Sequence, residues 1–433
     1  ALVVDNLTQQ FDWDEKKQNY LLLAFNIGYT IGHIPGGLLS IKYGPRVLMI
    51  FCLLSSTILT AVSIAATSYF WLFFTLRALI GLSNGPLFAI IHQTIANYAP
   101  AEERTFLLLF THTGTIISLV VTFPLGGYLV QYVPDGWKYI FYMTVVFGFI
   151  SFILWTVFVY SEPEQNHWMS DEEKNYVVKS VYPNGKPPKK TISNIPFRRI
   201  FSSPHLYILS CAHFGKAFIL YLNLFGVVKF LFSYYDLTRP MAGNLAVIPF
   251  LIDFVFQLIY PSFVKIMKNK GMKLTNIRRV NTFIGALGSS FFLLIAGFLP
   301  CTNISAGIIV LSLSLLFLPP YNAGYYTAII EFAPQYSDIN MAIINVSGSF
   351  SGVVQRYITA LFVGNLSDIR LAYRYSFIMT AVISFSLSMI FVIFGTADLQ
   401  PWAKSPNQNE ITSAPKALEN SSLESPTVEK NKE

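Results

Sequence analysis

About eleven apolar stretches of roughly 20 residues, separated by short charged breaks, constrain this chain more than any other feature. Twenty residues are what an α-helix needs to cross hydrocarbon, whereas a β-barrel would show segments of about ten residues with alternating polarity. Only 12% of the 433 residues are charged and 53% are hydrophobic; a soluble domain carries about 25% charged residues. The sequence therefore predicts an all-α, polytopic membrane protein with spans near 20–39, 47–67, 69–95, 105–130, 138–160, 205–232, 242–266, 276–299, 304–330, 340–364 and 375–395.

Lys and Arg concentrate on the cytoplasmic side of membrane proteins. Lys42 and Arg46, the 161–203 connection with Lys186, Lys189, Lys190, Arg198 and Arg199, and the run Lys265, Lys268, Lys270, Lys273, Arg278 and Arg279 all fall on one side. That places the C-terminus inside and the N-terminus outside. The N-glycosylation sequons at Asn6, Asn303 and Asn365 then face outward as acceptors must, while matches at Asn345 and Asn420 fall in a span and in the tail. Residues 1–19 read as an extracytoplasmic loop, and the odd span count predicts a first helix that this sequence lacks.

The spans divide into an N-terminal bundle over 20–160 and a C-terminal bundle over 204–398, joined by a cytoplasmic linker at 161–203. The two halves share a faint repeat: YAPAEERTFLLLFTHTG at 98–114 and FAPQYSDINMAIINVSG at 332–348. Within the linker, Ser170 and Glu173 form a capping box that starts a short amphipathic helix. The polar 399–433 segment reads as a disordered cytoplasmic tail. The net charge of +7 belongs mostly to the cytoplasmic breaks and does not require a nucleic acid. Cys52, Cys211 and Cys301 offer neither a disulfide framework nor a metal motif.

Arg77 stands inside the apolar run YFWLFFTLRALIGLSNGPLFAII. A guanidinium at a helix centre costs roughly 2.5–3.5 kcal/mol on insertion scales, so such a charge faces a cavity, a partner or a ligand. Arg77, Gly81, Asn84, Phe88 and His92 follow the helical repeat and share one face. The bland alternatives are outward snorkelling or neutralisation of a neighbouring carboxylate. Gly81 and Gly85 have the small-xxx-small spacing of close helix packing.

GGLLSIKYGPR at 36–46 resembles the loop between the second and third helices of major facilitator transporters: Gly37, Lys42, Gly44 and Arg46 fit its pattern, and Ile41 replaces the usual Asp. A wider resemblance covers nearly the whole chain. FDWDEKKQNYLLLAFNIGYTIGHIPGG, RALIGLSNGPLFAIIHQTIANYAPAEER, SEPEQNHWMSDEEKNYV, PFRRIFSSPHLYILSCAHFGKAF, LTNIRRVNTFIG, EFAPQYSDINMAIIN and GTADLQPWA look like signature blocks of the anion:cation symporter family that contains sialin, the vesicular glutamate transporters and the sodium-phosphate cotransporters. The resemblance implies a major facilitator fold of two pseudo-symmetric six-helix bundles, a central site open alternately to each side, and a missing helix that is first of twelve.

It also implies residue roles. Arg77 matches the fourth-helix Arg that engages the substrate anion, for which the planar guanidinium fork is suited. Asn84 replaces a Glu used by relatives in proton coupling, and an amide exchanges no proton near neutral pH. Lys216 stands where glutamate transporters carry Arg; the competing reading pairs it with Asp253, itself either a proton carrier or a fixed counter-ion. His92 and His213 are further titratable candidates. Tyr29 and Tyr221 lie in blocks that line the cavity of relatives, and Asn345 matches a structural or gating Asn. Leu22, Ala328 and Ile329 replace polar family residues, so glutamate specificity is not expected.

The expected function is secondary active transport of a small organic anion, such as sialate or an acidic amino acid, or of phosphate, coupled to H+, Na+ or membrane potential by a monomer in the lipid bilayer. The phosphate loop GxxxxGK[ST] and the HExxH and GxSxG signatures are absent, so no ATP-driven or enzymatic activity is expected. The competing class is a non-transporting receptor or scaffold built on a transporter fold. Lysosomal, vesicular and plasma membranes all suit the family.

Overall fold

The computed structural model describes residues 15–182, 185 and 191–403. The first bundle contains α1 (Glu15–Tyr43), α2 (Pro45–Ala66), α3 (Phe70–Asn84), α4 (Leu87–Tyr98), α5 (Arg104–Tyr132) and α6 (Gly136–Phe158). The linker carries α7 (Asp171–Val181) and α8 (Phe197–Phe201). The second bundle comprises α9 (Pro204–Tyr234), α10 (Arg239–Asn269), α11 (Leu274–Phe298), α12 (Ile304–Leu316), α13 (Leu318–Tyr321), a π-helical turn (Asn322–Tyr326), α14 (Thr327–Glu331), α15 (Ser337–Asn365) and α16 (Ile369–Phe394). Each expected span is one helix or one broken run, the broken ones being Phe70–Tyr98 and Ile304–Glu331.

Among the described residues, nine segments are long and apolar enough to cross a membrane. The spans outside that set, α1 and α15, have 29 residues each and are long enough but more polar. They pack against each other across the two bundles, so part of their surface faces protein instead of lipid. There His33 Nε2 lies 2.8 Å from Ser349 Oγ, while its Nδ1 lies 2.9 Å from the Gly85 carbonyl oxygen. The pairs α4 with α15 and α5 with α10 add to the contact between bundles.

Two expected boundaries shift. The outer loop was expected to run to residue 19, but the helix already begins at Glu15, because a helix continues beyond the hydrocarbon where charged residues such as Lys17 can meet water. The tail, expected to be unstructured from 399, stays packed through a turn at Pro401–Ala403. Trp402 lies 6.1 Å from the Phe332 ring and 5.8 Å from the Tyr336 ring, and Gln335 Nε2 donates 2.9 Å to the Ala403 carbonyl. Asn6, Lys186, Lys189, Lys190, Asn420 and the Leu22 side chain lie outside the described residues. In the linker, Ser170 Oγ accepts from the Glu173 amide at 3.2 Å and starts α7, as the capping box predicts.

Glycines set the tightest helix contact. A Cβ on Gly28 would stand 1.8 Å from the Ala78 carbonyl oxygen, and one on Gly81 would stand 2.1 Å from that of Phe25. Gly32 and Gly85 face each other similarly, so α1 and α3 meet backbone to backbone, the arrangement that small residues permit in membranes. At the α1–α2 turn, Gly44 has φ +83°, a left-handed conformation suited to glycine.

The Ile304–Glu331 span breaks where Gly324 takes φ −84°, ψ −118°. Backbone freed inside a membrane must find new partners. Thr282 Oγ1 accepts from the Tyr325 amide at 2.8 Å, and Arg278 Nη1 donates to the Ala323 carbonyl at 2.6 Å. Arg278 also holds Glu331 bidentately, with Nε to Oε2 at 2.7 Å and Nη2 to Oε1. Counted from sequence among the cytoplasmic-side cations, Arg278 is thus fully buried beneath that surface.

Gly28→Val is expected to lower the melting temperature markedly or abolish monodisperse protein in detergent, since overpacking commonly costs about 1–3 kcal/mol and the obstacle is backbone. Gly126→Ala, whose Cβ would meet only Ile140 Cδ1 at 3.7 Å, should melt like wild type. Breaking the buried pair by Glu331→Gln should cost about 3–5 kcal/mol. Thermal unfolding checks both, and a wild-type melt for Glu331→Gln would refute the structural role of the pair.

Candidate functional site

The break at Gly324 delivers Tyr325 and Tyr326 into the protein interior, both nearly or fully inaccessible to solvent. Residues distant in sequence converge on the Tyr326 ring. His92 from α4 lies 4.7 Å away edge-on, His112 from α5 5.0 Å away, and His213 from α9 5.9 Å away in a stacked arrangement. Lys216 Nζ stands 5.0 Å from the same centroid. His92 and His112 belong to the first bundle; His213, Lys216 and Tyr326 belong to the second. The cluster therefore spans the interface that alternating access would open.

Within it, His213 Nδ1 lies 3.1 Å from the Tyr325 hydroxyl, and Asn345 on α15 lies beside His213. His92 is fully buried, and neither ring nitrogen has a hydrogen-bond partner among the described residues. Asp253 on α10 is buried, accepts from Gln257 Nε2 at 3.4 Å, and lies within electrostatic reach of Lys216. Among the described residues no direct ion pair joins Lys216 and Asp253. Two buried opposite charges held near each other without contact leave the ammonium donors available for a ligand.

Arg77 is half-buried on α3, its guanidinium carbon 5.2 Å from the Phe73 centroid and 5.0 Å from that of Phe141 on α6. Among the described residues no carboxylate pairs with it. Arg77 and Lys216 thus rest on different rings, and neither contact joins the two cations. Asn84 closes α3 just before Gly85 and Pro86, whose backbone stays in the right-handed helical region between α3 and α4. Proline lacks the amide a continuous helix would use. Phe88 lies 6.3 Å from His112.

Tyr29 on α1 stacks over Phe25 at 5.7 Å and meets His33 edge-on at 4.4 Å. Tyr221, two positions before Asn223 on α9, lies near Tyr29 and against Gly352 of α15. These tyrosines accordingly bracket the seam between α1, α9 and α15.

The 36–46 motif lies at the end of the bundle expected to face the cytoplasm. Arg46 Nη2 donates to the Thr156 carbonyl at 2.7 Å and the guanidinium lies 4.1 Å from the Tyr160 centroid, while Lys42 lies 5.0 Å from the Tyr43 ring. A Cβ on Gly37 would stand 2.8 Å from Ala342 Cβ, bringing α1 close to α15. Ser337 Oγ donates to Gln93 Oε1 at 3.2 Å, and residues 318–333 are all buried, so this end is sealed. Ile41 is buried in the apolar core. Asn303 and Asn365 lie exposed at helix ends, where Asn303 caps α12 by accepting from the Ala306 amide at 3.0 Å and Asn365 Nδ2 donates to Leu361 at 2.9 Å.

Among the described residues no group of three His, Cys, Asp or Glu side chains is disposed to hold a metal ion. Sequence reasoning overlooked His112, Tyr326, Glu331 and Arg356. A permanent cation in an apolar run was the available signal for Arg356, the same one that marks Arg77. For Tyr326, the Pro-Pro and Gly of LPPYNAGYY marked an interrupted helix.

The chain is 27% identical to human sialin over 91% of its own length and 78% of sialin's. It is also 27% identical to the zebrafish (Danio rerio) vesicular glutamate transporter 3, over 93% of this chain and 68% of that protein, and to the Caenorhabditis elegans uncharacterized transporter slc-17.2, over 91% and 80%. Among solved structures, the proton:xylose symporter XylE superposes with a TM-score of 0.66 at 16% identity, covering 95% of this chain and 94% of that one. The transporter FucP in its outward conformation gives 0.64 at 14% identity over 90% and 93%. The profile described as Major Facilitator Superfamily matches residues 1–355. With nine helical segments long and apolar enough to cross a membrane among the described residues, a two-bundle architecture and that match, the chain belongs to the Major Facilitator Superfamily.

Proposed function

We propose that the protein is a secondary active transporter of small organic anions, working by alternating access between its two bundles. The observation that carries this reading is Lys216: a cation with 4% of its surface exposed, at the junction of the bundles and without a direct carboxylate partner among the described residues. A buried ammonium is costly unless paired, and an entering carboxylate supplies the missing charge and acceptors. Similarity to sialin and to vesicular glutamate transporters supports an organic anion as cargo.

The coupling ion in this reading is the proton. Asn84 cannot carry one, whereas Asp253 and the three imidazoles around Tyr326 are proton-exchanging groups enclosed near Lys216. Because the imidazoles come from both bundles, their mutual distances change whenever the bundles separate, which couples charge to conformation.

Proteoliposomes should accumulate at least one labelled anion from a panel of sialic acid, acidic amino acids, phosphate and urate under an imposed pH gradient, with or without sodium. Lys216→Gln should lower initial uptake at least about tenfold, the loss expected for one charge-assisted hydrogen bond. Asp253→Asn should weaken the response to the pH gradient. Uptake unaltered by Lys216→Gln, or accumulation that follows sodium alone, would sink the corresponding assignment.

A further inference from the structure

A second cation lies along the same path, on the extracytoplasmic side of Lys216. Arg356 sits on α15, nine residues before its outer end at Asn365, or about 14 Å below it. Its guanidinium carbon is 3.6 Å from the centroid of Phe225 on α9. The Nε atom is enclosed and has no hydrogen-bond partner among the described residues. Among those residues no carboxylate forms an ion pair with it, and the group that interacts electrostatically with it is the Tyr221 hydroxyl.

The surroundings suit a ligand better than they suit an unpaired charge. Tyr221 stacks on Phe225 at 5.7 Å, and its ring fills the space beside Gly352, four residues before Arg356 on the same helix, which holds the phenol next to the guanidinium. Tyr29 from the first bundle is near Tyr221 and offers another hydroxyl. On α9, Tyr221 is five residues beyond Lys216, a rise of about 8 Å towards the outside. With one guanidinium face covered by Phe225, the edge donors remain, and these match the two oxygens of a planar carboxylate.

We propose that Arg356, with Tyr221 beside it, forms an outer carboxylate subsite that binds the anion before it reaches Lys216. The proposal rests on the transport reading above and adds a place and an order of contact. Arg356 acts by binding the ligand directly, and Phe225 positions it.

The test is thermal stabilisation of the full chain in lipid nanodiscs, titrated with glutamate and with N-acetylneuraminate, for wild type, Arg356→Gln, Arg356→Lys and Lys216→Gln. The midpoint for whichever carboxylate stabilises wild type should rise about tenfold in Arg356→Gln and about threefold in Arg356→Lys, which keeps the charge but loses the fork. High salt should shrink the difference. If Arg356→Gln gives no monodisperse protein, Arg356→Lys carries the test, and a wild-type midpoint there overturns the subsite. Wild-type titration of Arg356→Gln alongside a weakened Lys216→Gln also overturns the subsite while leaving the transport reading standing. Absence of stabilisation of wild type by either carboxylate overturns the subsite, and the uptake panel then decides the transport reading by itself.

Discussion

The guanidinium of Arg278 secures the irregular segment on which the central cluster depends. It donates to the carbonyl freed at Ala323 within the turn Asn322–Tyr326 and grips Glu331 eight residues later, beyond it. In a bilayer an interrupted helix survives only if its loose backbone groups are re-satisfied. Because Arg278 and Thr282 do this from one helix, Tyr326 can project inward and collect three imidazoles and Lys216 around one ring.

Most of the architecture was legible as apolar run length. Thermodynamics leaves a span of about 20 apolar residues little choice, and every expected segment is present within a few residues. The ends were less legible, since a charged residue such as Lys17 reads equally as loop or as the last turn of a helix reaching water. The polar character of α1 and α15 records a protein partner, a tertiary fact that local composition cannot assign to a particular neighbour. Gly81 and Gly85 announced a close contact, yet only the fold shows that Gly28 and Gly32 receive it.

Cations were the most legible part of the candidate site, because a charge in an apolar run is expensive and therefore conspicuous. Arg77 and Lys216 could be found that way, but their spatial relation could not: the structure sets one against Phe73 and Phe141 and the other against Tyr326. His112 was invisible for the opposite reason. A single imidazole in RTFLLLFTHTG carries no spacing signal, and it acquires meaning only beside residues from other helices.

The backbone contact between α1 and α3 has a mechanical consequence. Helices whose backbones touch cannot slide or tilt independently without collision, so α1, α3 and the tyrosine and arginine they carry travel as a single lever. Tyr326 is not on that lever. In the alternating-access reading proposed above, His92 and His112 would leave with one bundle while His213 and Lys216 stay with the other, stripping the ring of half its nitrogen neighbours.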